Sequence, residues 1–156
     1  MKYILIFVLG VCLISCDQQR LFEENHNVDA EFWYVDSLMV FNFEIDENAT
    51  PYNIYSNFTH TSDYTYYNLY YRYSLRDSTD KEVNADLVNI HFFDPKTGAP
   101  LGSGLGDVFD HQQLILENYK FENPGAYSIS FQQYMRTDSL PNIAAVGARV
   151  ELATAE

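Results

Sequence analysis

The chain has 156 residues and a formal charge of −13, from 22 acidic and 9 basic side chains. Strong acidity excludes the basic face that a nucleic acid backbone or an anionic headgroup layer requires, and Arg20, Arg72, Arg76, Lys81, Lys96, Lys120, Arg136 and Arg149 form no basic run. Hydrophobic residues at 47% and aromatics at 16% exclude a disordered chain, and the length is that of one domain.

At the amino terminus, Lys2 precedes a twelve-residue apolar stretch, Tyr3 to Ile14. A membrane-spanning helix needs about 20 residues, so this stretch reads as the h-region of an export signal. It ends in Leu13-Ile14-Ser15-Cys16, which resembles the bacterial lipobox. A small Ser15 lets a peptidase approach the bond before Cys16, and only a thiol can form the thioether to a diacylglycerol. Cleavage is therefore expected between Ser15 and Cys16, with lipidation on Cys16. Three acyl chains, palmitate among them, give permanent attachment at about 0.8 kcal/mol per buried methylene. With Cys12 in the signal and Cys16 acylated, the folded part has no disulfide and no thiolate metal site. About 140 residues bury enough surface to need neither.

Asp17 to Glu31 is polar without a sustained period and reads as a tether of fifteen residues, reaching at most about 50 Å. Beyond it, alternation of apolar and polar side chains predicts strands over 38–45, 52–59, 66–75, 86–93, 112–116, 126–134 and 145–152. In the third, Tyr67, Leu69, Tyr71, Tyr73 and Leu75 share one face, opposite Tyr66, Asn68, Tyr70, Arg72 and Ser74. Arg76 to Glu82 is a turn, Asp94 to Gly106 a glycine-rich loop, and Gln132 to Arg136 a possible short helical turn. The expected organisation is a signal peptide over 1–15, a lipidated tether over 16–31 and a domain over 32–156. That domain is all-β: an antiparallel β-sandwich of about seven strands, for which the jelly roll is one available form.

No constellation of catalytic type stands out. His26, His60, His91 and His111 lie 20 or more residues apart, without the spacing that places two metal ligands on one element. The run from Gly98 to Asp107 lacks both the Lys-Ser/Thr of a phosphate loop and the Gly-x-Gly-x-x-Gly of a dinucleotide site, and Ser103 lacks the nucleophile elbow. Pairs such as Asp107 with Asp110 are ordinary in so acidic a chain, and no acidic run matches a calcium loop. The segment from Tyr52 to Tyr73 holds eight of the thirteen tyrosines. Tyr is a strong strand former, which accounts for many of them, but Tyr66 and Tyr70 near Arg72 have the composition of an interface or stacking platform. Tyr66, Tyr70 and Arg72, and Gly102, Gly104 and Gly106 of the loop, are thus the candidate partner contacts.

The order of these pieces resembles the gliding-motility lipoprotein GldH family of the Bacteroidota. The resemblance is carried by the lipobox and by Pro51-Tyr52-Asn53-Ile54-Tyr55, Tyr64-Thr65-Tyr66-Tyr67-Asn68-Leu69, Gly102-Ser103-Gly104-Leu105-Gly106-Asp107, Tyr119-Lys120-Phe121 and Pro124-Gly125-Ala126-Tyr127-Ser128-Ile129. Gln133-Tyr134-Met135-Arg136, Leu140-Pro141 and Val146-Gly147-Ala148-Arg149 complete it. It implies a non-catalytic envelope lipoprotein, anchored in the outer membrane and facing the periplasm. Such a protein supports other envelope lipoproteins and proteins of the gliding and type IX secretion apparatus, with no cofactor. In the same phylum, Asp36-Ser37-Leu38, Asp77-Ser78-Thr79 and Asp138-Ser139-Leu140 look like an O-glycosylation motif on Ser37, Ser78 and Ser139. Two other functions fit the residues: a carbohydrate-binding surface lipoprotein, and a hydrolase using unrecognised carboxylates.

Overall fold

Strand β4 (Tyr52–Thr61) shows how the sequence sorts its two faces. Tyr52, Ile54, Ser56, Phe58 and His60 are buried, and every residue between them is half-buried, as the two-residue repeat of a pleated strand requires. A computed structural model of the protein describes residues 19–28 and 32–153. Among these it has no helix and ten further strands: β1 (Arg20–Asn27), β2 (Phe32–Tyr34), β3 (Met39–Ile45), β5 (Asn68–Arg76), β6 (Glu82–His91), β7 (Ser103–Leu105), β8 (Val108–Tyr119), β9 (Gly125–Gln133), β10 (Ser139–Pro141) and β11 (Ile143–Leu152).

Two open sheets form the sandwich, one in the order β1-β11-β4-β8-β7 and the other in the order β3-β9-β5-β6, with β2 and β10 as a separate two-stranded ribbon. All pairings are antiparallel. The connectivity is that of a rolled ribbon. Early strands pair with late ones in the nested set β1·β11, β3·β9, β4·β8 and β5·β6, and the roll closes where β11 meets β4 and β9 meets β5. This is the jelly-roll order.

Between the sheets lies an aromatic core. Phe58 of β4 meets Tyr71 of β5 edge-on at 4.7 Å, and Phe41 and Phe131 approach at 5.8 Å. One hydrogen bond crosses the core, between the Ser56 and Tyr71 hydroxyls at 2.6 Å, and burial pushes the Tyr71 phenol far above its ordinary range. Trp33 of β2 is wholly buried opposite Leu140 of β10, with its Nε1 donating to the Ser37 carbonyl at 2.8 Å. That bond satisfies the only polar atom of an otherwise apolar ring.

All seven expected strands are present, four of them lengthened. Four were not legible, and the largest consequence concerns β1. Arg20–Asn27 falls inside the segment read as a tether, yet it pairs with β11 from Arg20 opposite Glu151 to Asn27 opposite Ala145. Its sequence hides the strand because β1 sits on a sheet edge with one face in solvent. Only Phe22, 5.7 Å from Phe43, and His26, 4.6 Å from Phe41, reach the interior. Two smaller corrections follow. Tyr67 precedes β5 and is exposed instead of joining Leu69 in the core, and Gln132 to Arg136 ends β9 in bends, not in a helical turn.

The strands define two poles. Arg20, Glu151, Tyr52 and Tyr119 lie at one, and Thr61, Val108 and Leu105 at the other. The ten residues of β4 run between them, about 30 Å at 3.3 Å per residue.

Candidate functional site

At the Thr61 pole three connections are sewn together by main-chain hydrogen bonds. The Ser62 N–H, in the β4–β5 turn, donates to the Asp107 carbonyl in the β7–β8 hairpin at 2.8 Å. Phe92 and Phe93 both donate to the Tyr67 carbonyl at 2.9 and 3.1 Å, and Leu101 donates back to Phe92 at 2.9 Å. Within the β6–β7 loop, the Asp94 carboxylate accepts the Lys96 and Thr97 N–H groups at 2.8 Å each, which holds its carboxyl below the usual range.

The glycines of this pole are structural. A Cβ on Gly102 would come within 2.5 Å of the Asp110 carbonyl oxygen and the His111 ring, and one on Gly104 would strike the Phe109 ring. A residue with a Cβ at either position could not lie this close to β8. Gly106, at φ +70°, opens the two-residue hairpin between Leu105 and Val108, where a positive φ is demanded. Gly102, Gly104 and Gly106, expected as contacts, thus act by setting the hairpin's path. The side chain the hairpin exposes most is Leu105, 90% exposed at its tip and paired opposite Val108, and Leu101 is exposed ahead of β7. Sequence reading passed over these side chains because a leucine between glycines carries no periodic signal.

Tyr66 belongs to the same pole. It lies edge-on to Tyr64 at 5.9 Å, while Tyr67 stacks on His91 at 5.6 Å, and both line a shallow depression with Phe93, Pro95 and Gly98. Tyr70 and Arg72 do not join them. They occupy the outer face of the four-stranded sheet, where the Tyr70 N–H meets the Met135 sulfur at 3.3 Å. Arg72 donates from Nη2 to both oxygens of Glu82 at 3.0 Å. The bond from Ser74 first, and then Arg72, hold the Glu82 carboxyl below its usual range. The expected trio is therefore split, and its guanidinium is already engaged.

Beneath the hairpin lies a feature that histidine spacing did not suggest. His60 and His111, on neighbouring strands, approach Nε2 to Nε2 at 3.0 Å, with His60 stacked on Phe92 at 4.4 Å. His60 Nδ1 bonds the Thr61 carbonyl at 2.8 Å and must donate to it. The bare Nε2 of His60 then accepts a hydrogen bond from the Nε2–H of His111. Burial drives the basicity of His60 down and that of His111 down to about 4, so both rings are neutral at pH 7. Protonation of His60 at Nε2 would place two N–H groups head to head.

A polar groove of about 300 Å³ crosses the outer face of the five-stranded sheet. Asn25, whose side chain lies over Gly147, stands in one cross-strand row with Asn57 and Gln112, and Gln112 donates to Asn57 at 3.0 Å. Among the described residues no group of three or more His, Cys, Asp or Glu side chains is arranged to hold a metal ion. Of the serines in Asp-Ser triplets, Ser78 is exposed in the β5–β6 turn, Ser37 is half-buried after β2, and Ser139 is half-buried in β10. Ser15 and Cys16 lie outside the described residues.

Fold and surface together define a single jelly-roll module with an apolar loop pole and a polar sheet face. The chain belongs to the GldH lipoprotein family, whose model matches residues 20–150. It is 32% identical over 158 residues to the gliding motility lipoprotein GldH homolog of Christiangramia forsetii, covering 95% of this chain and 94% of that one. To the gliding motility lipoprotein GldH of Flavobacterium johnsoniae it is 24% identical over 154 residues, covering 94% of each. Among solved structures, VP2 of the infectious bursal disease virus subviral particle superposes with a TM-score of 0.44 at 14% identity, over 90% of this chain. The chain spans 34% of that viral protein's length.

Proposed function

We propose that the protein is a non-catalytic accessory subunit of the gliding motility and type IX secretion machinery, lipidated on Cys16, held in the outer membrane facing the periplasm, and acting through contacts with other envelope proteins. Family membership across residues 20–150 is the observation that carries this reading. The exposed apolar side chains at the hairpin pole supply surface of the kind interfaces use. Lipidation confines the search for a partner to two dimensions and raises effective concentration. The test is to crosslink tagged protein in native envelopes, solubilise it and identify co-purifying proteins, comparing wild type with Cys16→Ala. Motility or secretion proteins should be recovered with wild type and lost with the variant; their absence from wild type would sink the proposal.

A second reading, carbohydrate binding, draws on the groove over Gly147. Its amides Asn25, Asn57 and Gln112 can pair with sugar hydroxyls, and it contains no Lys that would favour an anion. Shifts of the Asn and Gln side-chain amide signals on adding neutral oligosaccharides would support it, and their absence would retire it.

A further inference from the structure

Cys16 stands four residues before Arg20, so even a fully extended link places the start of β1 within about 14 Å of the lipidated residue. The tether inferred from sequence is consumed by a strand. Since β1 is locked to β11 from its first residue, a lipid on Cys16 would keep the Arg20 pole within that distance of the bilayer surface. The hairpin pole lies at the far end of β4, about 30 Å from the Arg20 pole. The domain itself supplies the reach that a flexible tether would have given.

The outward pole combines two properties. Leu105, Leu101, Val108, Tyr66 and Tyr67 expose apolar surface on loops fixed by the hydrogen bonds described above. The same three connections carry Asp63, Asp94 and Asp107, against Lys96 as their cation. An apolar centre within an acidic rim selects a partner of complementary form.

Resting on the accessory-subunit reading and on lipidation at Cys16, we propose that the hairpin pole is a membrane-distal docking surface, whose occupant is an envelope protein presenting an apolar socket ringed by Lys and Arg, with Leu105 as the central anchor.

A photo-crosslinking amino acid is placed at Leu105 or at Glu47, an exposed residue of the Arg20 pole, in the full-length lipoprotein in growing cells. An adduct is expected from position 105 and not from 47, and sequencing of the crosslinked peptide should find Lys and Arg flanking apolar residues. Leu105→Asp should lower partner retention at least tenfold without moving the thermal midpoint, and Asp63→Lys with Asp107→Lys should also weaken it. In vesicles of phosphatidylethanolamine and phosphatidylglycerol, a headgroup quencher should dim a fluorophore at 47 and spare one at 105. Adducts predominantly from 47, a crosslinked segment without basic residues, or full retention by Leu105→Asp would each overturn the proposal. Deletion of the whole protein separates the two levels: if gliding and export are unaffected, the accessory reading falls and takes the pole with it. If deletion abolishes them and Leu105→Asp does not, only the docking pole falls.

Discussion

Replacing His111 by Gln tests whether the imidazole pair is neutral and contributes to stability. Gln keeps a donor that can reach His60 Nε2 but does not titrate. In wild type, burial holds the His111 value at about 4, against 6.5 for an ordinary imidazole. The unfolded chain therefore binds more protons between those values. Stability contributed by the neutral ring is fully present above pH 6.5 and is lost progressively as pH falls toward 4. At about 1.4 kcal/mol per pH unit the gap has a ceiling of about 3 kcal/mol, and partial solvent access reduces it to about 2 kcal/mol. Urea unfolding followed by Trp33 fluorescence at pH 7.5 and pH 4.5 measures it. The 22 carboxylates titrate in both proteins, so the difference between their pH profiles isolates the ring. Wild type should lose about 2 kcal/mol more than His111→Gln across this range. Identical profiles would refute the neutral pair.

Gly104→Val should destabilise the hairpin end by about 1–3 kcal/mol through overpacking against Phe109, lowering the urea midpoint while the far-ultraviolet spectrum stays β-type. Tyr71→Phe leaves the Ser56 hydroxyl buried without its partner and should cost about 1–3 kcal/mol by the same assay. Trp33→Ala empties a wholly buried indole site and should cost about 3–5 kcal/mol, read by thermal unfolding followed by circular dichroism. Substitution of residues 20–27 by a glycine-serine linker should remove several kcal/mol, since it strips β11 of an edge partner and Phe43 of its contact with Phe22; a true tether would tolerate the exchange without a change in midpoint.

What could be read from the sequence follows how each strand is buried. β4, β5 and β9 have one face in the core and one toward solvent, so alternation such as Leu69, Tyr71, Tyr73, Leu75 is written plainly in the residues. β1, β2, β7 and β10 leave weaker traces because they are short or lie at an edge, where pairing is made by backbone atoms that every residue has. Candidate contacts divide along the same line. Tyr66 stands out in sequence because aromatic clustering is visible in one dimension, whereas the exposure of Leu105 follows from its position at a hairpin tip. The histidine pair is invisible in sequence for a further reason: His60 and His111 are 51 residues apart and meet only because β4 and β8 are paired in a specific register, with Phe58 opposite His111 and His60 opposite Phe109.

That register links the core to the surface of the hairpin pole. His111 sits under Gly102, and Phe109, beside His60 at 5.7 Å, sits under Gly104, so the path of β7 is shaped by the two rings below it. Gly102 and Gly104 put no side chain between the backbone and these rings, and the hairpin is held by its partner strand and by the Ser62 bond to Asp107 at the turn. Holding Leu105 in solvent is unfavourable for the isolated domain, since an apolar side chain of this size loses about 1.5–3 kcal/mol relative to burial. A fold that fixes the hairpin over a satisfied, neutral imidazole pair keeps this side chain outward without letting it collapse onto the sheet. The entropy of ordering the hairpin is then met during folding and not at the moment of contact, which is the condition under which a small apolar anchor contributes most to association.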